Sequence, residues 1–159
     1  WEQAADPARE AGLRVAHVRN GIVLDQAATV LKVLGTLTKL GAAAPVGSGR
    51  QYWPWISLDD TVGIYHHVLS TDDLEGVVNA TAPAPVTNAE FTRTLARVLH
   101  RPVIPIKAPR FVPSLILGPE LATDLLLSSM RVLPERAEAT GYTFQHPNLE
   151  QALRHIYGR

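Results

Sequence analysis

Hydrophobic and polar positions along the chain follow two patterns, short valine-rich runs and longer segments with helical spacing. The apolar runs at 14–19 and 77–81 are typical of buried strands of a parallel sheet. Amphipathic helices are predicted where apolar residues recur every three or four positions, in the segments 26–40, 59–70, 88–99 and 149–156. Strands that alternate with helices predict an α/β fold.

Capping residues predict where several helices begin. Thr87 followed by Glu90 forms a capping box, and Asn148 precedes the last helical segment. Asp59 or Asp60 is predicted to cap a helix whose apolar residues are Val62, Tyr65, Val68 and Leu69. Glycines predict the carboxyl ends of three helical segments, at Gly12, Gly41 and Gly141.

The stretch 47–60 concentrates aromatic, cationic and turn residues, including two of the three tryptophans of the chain. Its two glycines permit a tight bend, and Pro54 predicts an edge strand or a bulge after the bend. Two interpretations stay open. The polar side chains of the bend project into a ligand cleft, or Trp53 and Trp55 fill a core while Arg50 is solvated.

Composition narrows the class of protein. The chain has 159 residues with 15 basic and 15 acidic side chains, and the absence of any basic run argues against a nucleic-acid partner. Cysteine is absent, which excludes disulfides and thiolate catalysis and fits a cytoplasmic location. The apolar segment 111–130 is interrupted by Gly118-Pro119, so we expect two helical pieces rather than a membrane span. Because the chain begins at Trp1 without methionine, we expect a piece of a longer protein.

The residues supply no self-sufficient catalytic set. No Gly-x-Ser-x-Gly, P-loop or Gly-x-Gly-x-x-Gly motif occurs. The six histidines form no His-Glu-x-x-His motif, and the adjacent His66 and His67 would point about 100° apart on a helix, so we predict no metal site. Asp59 and Asp60 are explained by a helix cap and by solvent. We therefore predict no catalytic residue within these 159 positions.

The end of the first predicted strand is the best place for a ligand contact. Ligands of open parallel sheets lie beyond the carboxyl ends of the strands, which places Arg19, Asn20 and Gly21 near a ligand. The alternative for Arg19 is a salt bridge at the strand end.

Five motifs in order carry a resemblance to a known family. The motifs are Arg19-Asn20-Gly21-Ile22-Val23-Leu24, Pro45-Val46-Gly47-Ser48-Gly49-Arg50-Gln51, Trp55-Ile56-Ser57-Leu58-Asp59-Asp60, Asn79-Ala80-Thr81-Ala82-Pro83 and Thr87-Asn88-Ala89-Glu90-Phe91. With these motifs the chain resembles the carboxyl-terminal half of an extended short-chain dehydrogenase/reductase, and more narrowly the branch of NAD(P)-dependent nucleotide-sugar epimerases, some of which carry a cell-division-inhibitor label.

The resemblance implies the last strands of a Rossmann-like parallel sheet plus a mostly helical substrate lobe. Segments 1–40 and 59–82 would belong to the sheet part, and 41–58 and 83–159 to the substrate lobe and carboxyl-terminal extension. In that family the glycine-rich cofactor loop and the catalytic Tyr-x-x-x-Lys lie in the amino-terminal half, so 1–159 alone would be inactive. The lost sheet edge would favour a homodimer.

The resemblance also implies ligands and roles. The cofactor would be NADP or NAD, contacted here by Arg19, and the substrate a small molecule such as a nucleotide sugar. Candidates for the substrate side are Asn20, Arg50, Gln51, Trp53 and Trp55.

Two departures from the family pattern keep a second function open. Many nucleotide-sugar epimerases have a pyrophosphate-binding Arg where this chain has Trp53, and an indole cannot replace its charge-assisted bonds. The glycine-rich turn that usually follows Leu24 is replaced by 25–29. The leading hypothesis is the substrate-binding part of an epimerase or oxidoreductase. The alternative is a non-catalytic binding or regulatory protein, related to cell division, on the same scaffold.

Overall fold

The computed structural model describes residues 2–105, 108 and 128–159. The helical pieces expected within 111–130 therefore lie outside the described residues, apart from the last three positions. None of the described helices combines the length and the hydropathy that a bilayer span requires.

Short strands and helices alternate through the described residues. A 3-10 helix at Glu2–Ala5 leads directly into the first α-helix. The strands are β1 (Ala16–Asn20), β2 (Ile22–Leu24), β3 (Tyr52–Trp53), β4 (Trp55–Ser57), β5 (Gly76–Ala80) and β6 (Val86–Thr87). The α-helices are α1 (Asp6–Glu10), α2 (Thr29–Lys39), α3 (Leu58–Ser70), α4 (Asn88–Val98), α5 (Glu135–Ala139) and α6 (Leu149–Tyr157).

Parallel pairing confirms the predicted α/β class. β1 and β5 pair in parallel, with His17 opposite Val77 and Asn20 opposite Ala80. β2 and β4 form a second parallel pair, and β3 pairs with β6 in the antiparallel direction. The two runs thus lie side by side in one parallel sheet, as predicted. The predicted burial was wrong for β1, which has no buried residue and whose last two residues are exposed.

Two groups of buried apolar residues hold these elements together. The larger group joins α2, α4 and α6 around the strand pair β3–β6, and consists of Leu24, Val30, Leu31, Trp53, Trp55, Ala82, Val86, Phe91, Leu95, Val98, Leu99, Leu149, Ala152 and Leu153. The smaller group lies between α3, α5 and β5, and consists of Ile56, Ile64, Val68, Leu74, Val78, Ala80 and Ala137.

Two predicted caps are confirmed by their hydrogen bonds. The Thr87 hydroxyl accepts from the backbone N–H of Glu90 at 3.3 Å. The Asn148 side chain accepts from the N–H of Gln151 at 3.0 Å. These caps are readable from sequence because a cap and its partner are only three residues apart.

The predicted cap of α3 was wrong. Ser57 caps the helix, and its hydroxyl accepts from the N–H of Asp60 at 3.0 Å. Both aspartates therefore lie in the first helical turn, where the helix dipole favours a negative charge. The buried face of α3 consists of Asp60, Thr61, Ile64 and Val68. Three of the four apolar residues expected to define this helix are exposed instead, namely Val62, Tyr65 and Leu69.

The helix predicted over 26–40 begins later, at Thr29. A local turn occupies the preceding residues, because the Asp25 carboxylate accepts from the N–H of Ala27 at 2.7 Å. The predicted end is confirmed, since Gly41 takes a φ of +80° just after the helix.

Candidate functional site

The carboxyl ends of β1 and β5 meet at one edge of their sheet. Arg19 lies opposite Asn79 in the parallel register, and the N–H of Gly21 donates to the carbonyl oxygen of Ala80 at 2.9 Å. Residues just after these two strands therefore face the same space. In open parallel sheets this is the edge at which ligands bind.

Gly21 brings the bend at Pro54 against this edge. A Cβ atom on Gly21 would lie 2.3 Å from the carbonyl oxygen of Pro54 and 3.1 Å from Cγ2 of Thr81. The same carbonyl accepts from the N–H of Ile22 at 2.6 Å. Because only glycine allows this approach, the strand ends and the start of β4 form one compact corner.

Arg19 is held by an acidic partner at this corner. Its Nε and Nη2 atoms donate to the two carboxylate oxygens of Glu2 at 2.6 and 2.9 Å. The hydrogen bond from Arg19 lowers the pKa of Glu2, and the same bond raises the pKa of Arg19. Both side chains are about half exposed, so the pair contributes little stability and an anionic ligand could compete for the guanidinium. Contact of Arg19 with a cofactor stays a prediction.

Asn20 lies beside helix α3. Its side-chain amide donates to the hydroxyl of Tyr65 at 3.0 Å, and both residues are exposed. This hydrogen bond fixes the amide at the carboxyl end of β1. Its predicted contact with a substrate is consistent with that position and stays a prediction.

Gln51 organises the glycine turn, which we define as residues 46–51. Its side-chain amide donates to the carbonyl oxygen of Val46 at 3.0 Å, and its amide oxygen accepts from the hydroxyl of Ser48 at 3.1 Å. Gly49 takes a φ of +71° and lies close to Ala89 at the start of α4. The buried Gln51 thus gives the turn a fixed shape, and its contact with a substrate stays a prediction.

Arg50 is the exposed cation of the glycine turn. Its N–H donates to the Ser48 hydroxyl at 3.1 Å, which fixes the backbone. Within the part of the chain that the structure describes, its guanidinium has no hydrogen-bond or ion-pair partner. A fixed backbone with an uncommitted guanidinium suits the recognition of a phosphate or carboxylate.

The two indoles of the 47–60 stretch lie in the core. Trp53 and Trp55 are each 1% exposed. The ring of Trp53 packs on Phe91 with a centroid distance of 5.1 Å, and Nε1 of Trp55 donates to the carbonyl oxygen of Ala84 at 3.0 Å. Of the two interpretations of this stretch, the one in which Trp53 and Trp55 fill a core agrees with this packing. Their direct contact with a substrate stays a prediction.

Sequence reasoning missed the role of Asp60, which it assigned to a cap or to solvent. The Asp60 side chain is fully buried. Its two carboxylate oxygens accept four hydrogen bonds from other residues. The donors are the hydroxyls of Ser57 (2.7 Å) and Tyr142 (3.0 Å) and the N–H groups of Gln145 (2.7 Å) and His146 (3.0 Å). Burial, and then the charge of Asp60, raise the pKa of the Tyr142 hydroxyl. Asp60 thus joins the first turn of α3 to the carboxyl-terminal segment.

Gly63 is the sequence feature that could have indicated the contact between α3 and Tyr142. A Cβ atom there would lie 2.2 Å from the hydroxyl of Tyr142, so only a glycine on this face of α3 admits the ring. A glycine inside a helix is unfavourable by about 1 kcal/mol relative to alanine, and it often marks such a close approach.

Comparison with known proteins shows that the chain is similar to epimerase family proteins. Residues 108–156 match the family described as a domain of unknown function, DUF1731. The chain is 40% identical over 153 residues to an epimerase family protein of Mycobacterium tuberculosis, covering 96% of this chain and 50% of the relative. It is 38% identical over 156 residues to the human epimerase family protein SDR39U1, with 98% and 52% covered. The chain thus spans about half the length of the curated relatives it matches.

Solved structures agree with the sequence relatives. The crystal structure of human SDR39U1 with NADPH superposes with a TM-score of 0.83 at 36% identity, covering 91% of this chain and 48% of that one. A nucleoside-diphosphate sugar epimerase from Corynebacterium glutamicum superposes with a TM-score of 0.79 at 31% identity, covering 99% and 29%. A UDP-glucose 4-epimerase from Thermus thermophilus, at 19% identity and a TM-score of 0.68, covers 98% and 50% and supports the Rossmann-like fold alone. The resemblance inferred from the five motifs is confirmed.

Proposed function

We propose that the chain is the carboxyl-terminal, substrate-binding part of an NAD(P)-dependent epimerase or oxidoreductase of the extended short-chain type, since it is similar to epimerase family proteins over about half of their length. The observation that carries the proposal is the parallel pairing of β1 with β5, which places Arg19 and Asn20 at the end of β1 beside Asn79 and Ala80 at the end of β5. The human relative at 36% identity was crystallised with NADPH.

The residues at this edge fit a dinucleotide. Arg19 offers an exposed guanidinium whose present partner is an exposed carboxylate. The hydroxyl of Thr81, just after β5, is buried, and among the described residues it has no hydrogen-bond partner. A buried hydroxyl without a partner is costly, so a ligand or water at this edge would stabilise it. The cofactor supplies hydride transfer when bound, while the protein binds and orients it.

We further propose that Arg50 binds a phosphate or other anionic group of the substrate. The glycine turn is fixed from within by Gln51, so its exposed guanidinium projects from a rigid support. Hydrogen bonds from a cation to a phosphate are about twice as strong as neutral ones. A nucleotide sugar supplies such a group, and the relative from Corynebacterium glutamicum is described as a nucleoside-diphosphate sugar epimerase.

Titration of the full-length protein with NADPH and NADH tests the proposal. We expect saturable binding of one of them, weakened in Arg19→Ala and unchanged in Arg93→Ala, a matched control that removes an exposed arginine from α4. Binding of neither dinucleotide at millimolar concentration would contradict the proposal.

The burial of Trp53 favours a second candidate, a non-catalytic binding or regulatory protein on the same scaffold. Trp53 stands where many nucleotide-sugar epimerases have an arginine, and its indole is enclosed by the core. Incubation of the protein with NADP⁺ or NAD⁺ and nucleotide sugars separates the two functions, because the oxidised cofactor can accept a hydride from the sugar. Epimerised or oxidised product supports the enzyme, and bound cofactor without any exchange of hydride supports the binding protein.

A further inference from the structure

Three side chains from separate segments converge beside the first turn of α3. Asp59 belongs to that turn, His146 to the loop before α6 and His155 to the last turn of α6. Nε2 of His146 lies 3.3 Å and Nε2 of His155 lies 3.0 Å from the same oxygen, Oδ2 of Asp59. The two imidazole rings stack with a centroid distance of 4.5 Å.

We propose that Asp59, His146 and His155 bind a divalent transition metal ion, with Zn²⁺ the best fit. Their three ligand atoms lie within 4.8 Å of one another. Tetrahedral zinc with bonds of about 2.0–2.2 Å holds neighbouring ligand atoms roughly 3.4 Å apart. The two nitrogen–oxygen distances, 3.3 and 3.0 Å, are within a few tenths of an ångström of that separation.

The donor set selects among metals. Two imidazole nitrogens and one carboxylate oxygen suit zinc, cobalt, nickel and copper, whereas magnesium and calcium prefer oxygen ligands alone. Three protein ligands leave the fourth tetrahedral position for water. The site is therefore an open one rather than a closed structural site.

Contacts with the rest of the fold fix the positions of two ligands, His146 and His155. The N–H of His146 donates to Asp60 at 3.0 Å, so the buried carboxylate next to Asp59 fixes the loop that carries this imidazole. His155 belongs to α6, which packs into the larger core through Leu149, Ala152 and Leu153. Such supporting contacts set the orientation of metal ligands, and their loss typically weakens metal binding about 10–100-fold.

Metal entry requires no opening of the fold. The side chains of Asp59 and His155 are 45% and 58% exposed, while that of His146 is 15% exposed. Without metal, each neutral imidazole can donate an Nε2–H to Asp59. With metal bound, each imidazole coordinates the ion through Nε2 and carries its proton on Nδ1. Metal binding therefore changes the tautomer of each histidine and releases no proton from it.

The experiment titrates the full-length protein, freed of any affinity tag and dialysed against chelator. Isothermal titration measures Zn²⁺ binding, and visible absorption of Co²⁺ reports tetrahedral coordination. We expect one equivalent to bind, with Asp59→Asn and His155→Ala each weakening binding at least about tenfold. His66→Ala is the matched control, because it removes an exposed histidine from the same helix as Asp59 and should leave binding unchanged.

Circular dichroism of each variant establishes that it remains folded. No binding of Zn²⁺ would overturn the proposal. So would binding that Asp59→Asn and His155→Ala leave unchanged, or that His66→Ala weakens equally, since the ion would then be held by other histidines.

Discussion

The buried carboxylate of Asp60 should be a dominant stabilising contact between α3 and the carboxyl-terminal segment. Asp60→Ala removes the acceptor of four hydrogen bonds at 2.7–3.0 Å. The hydroxyls of Ser57 and Tyr142 can rotate toward other acceptors, but the N–H groups of Gln145 and His146 are fixed by the backbone. A donor left without a partner costs about 1–3 kcal/mol, so two of them give about 4 kcal/mol.

Asp60→Asn tests the same reasoning with a smaller change. The amide keeps one acceptor oxygen and places an NH₂ group where the other oxygen stood, so one of the two backbone donors keeps its partner. We expect a loss of about 2 kcal/mol, half that of Asp60→Ala.

Urea denaturation followed by circular dichroism measures the free energy of unfolding of both variants. Asp73→Asn is the control, since Asp73 is exposed and its change should stay within about 0.5 kcal/mol. A loss below about 1 kcal/mol in Asp60→Ala would refute the reasoning, because the fixed N–H groups would then have found other partners.

Three further predictions concern other contacts. Gly21→Ala places a methyl group 2.3 Å from a backbone carbonyl and should destabilise the protein by about 1–3 kcal/mol in urea denaturation; an unchanged midpoint would contradict the close packing. Arg50→Ala should weaken binding of a nucleotide sugar by about tenfold or more in calorimetric titration while leaving the melting temperature unchanged, and unchanged affinity would remove Arg50 from the site. Hydrogen bonds from Arg154 and then from Arg97 lower the pKa of Glu150, so their stabilisation is present above the ordinary value of 4.5 and is lost as the pH falls through the folded pKa. The difference in melting temperature between the wild type and Glu150→Gln should therefore shrink on acidification, and a constant difference would contradict the pair.

Local signals predicted much of the fold. The caps at Thr87 and Asn148 and the parallel runs at 14–19 and 77–81 depend on residues close in sequence or on composition. The cap of α3 was missed because Ser57 and the two aspartates are all good caps, and only the end of β4 decides among them.

The candidate site was less accessible to sequence reasoning. Arg19 and Asn20 could be placed at a strand end because the apolar run at 14–19 predicts the strand itself, and ligands of open parallel sheets bind beyond such ends. The convergence of Asp59 with His146 and His155 could not, since the histidines lie far along the chain and share no spacing with the aspartate. The packing of α6 on the larger core positions His155, and the hydrogen bond that the backbone N–H of His146 donates to Asp60 positions His146.

The carboxyl-terminal segment is part of the framework of the candidate site. Ala137 of α5 packs in the same core group as Ile56 and Ile64, and therefore supports β4 and α3 from one side. The Asp60 carboxylate binds the loop after α5, and α3 in turn carries Tyr65, whose hydroxyl accepts from Asn20 at the sheet edge. A change in this segment can therefore reach the strand ends through α3. Because cores transmit strain rather than absorb it, substitutions at Tyr142 should alter ligand affinity as well as stability.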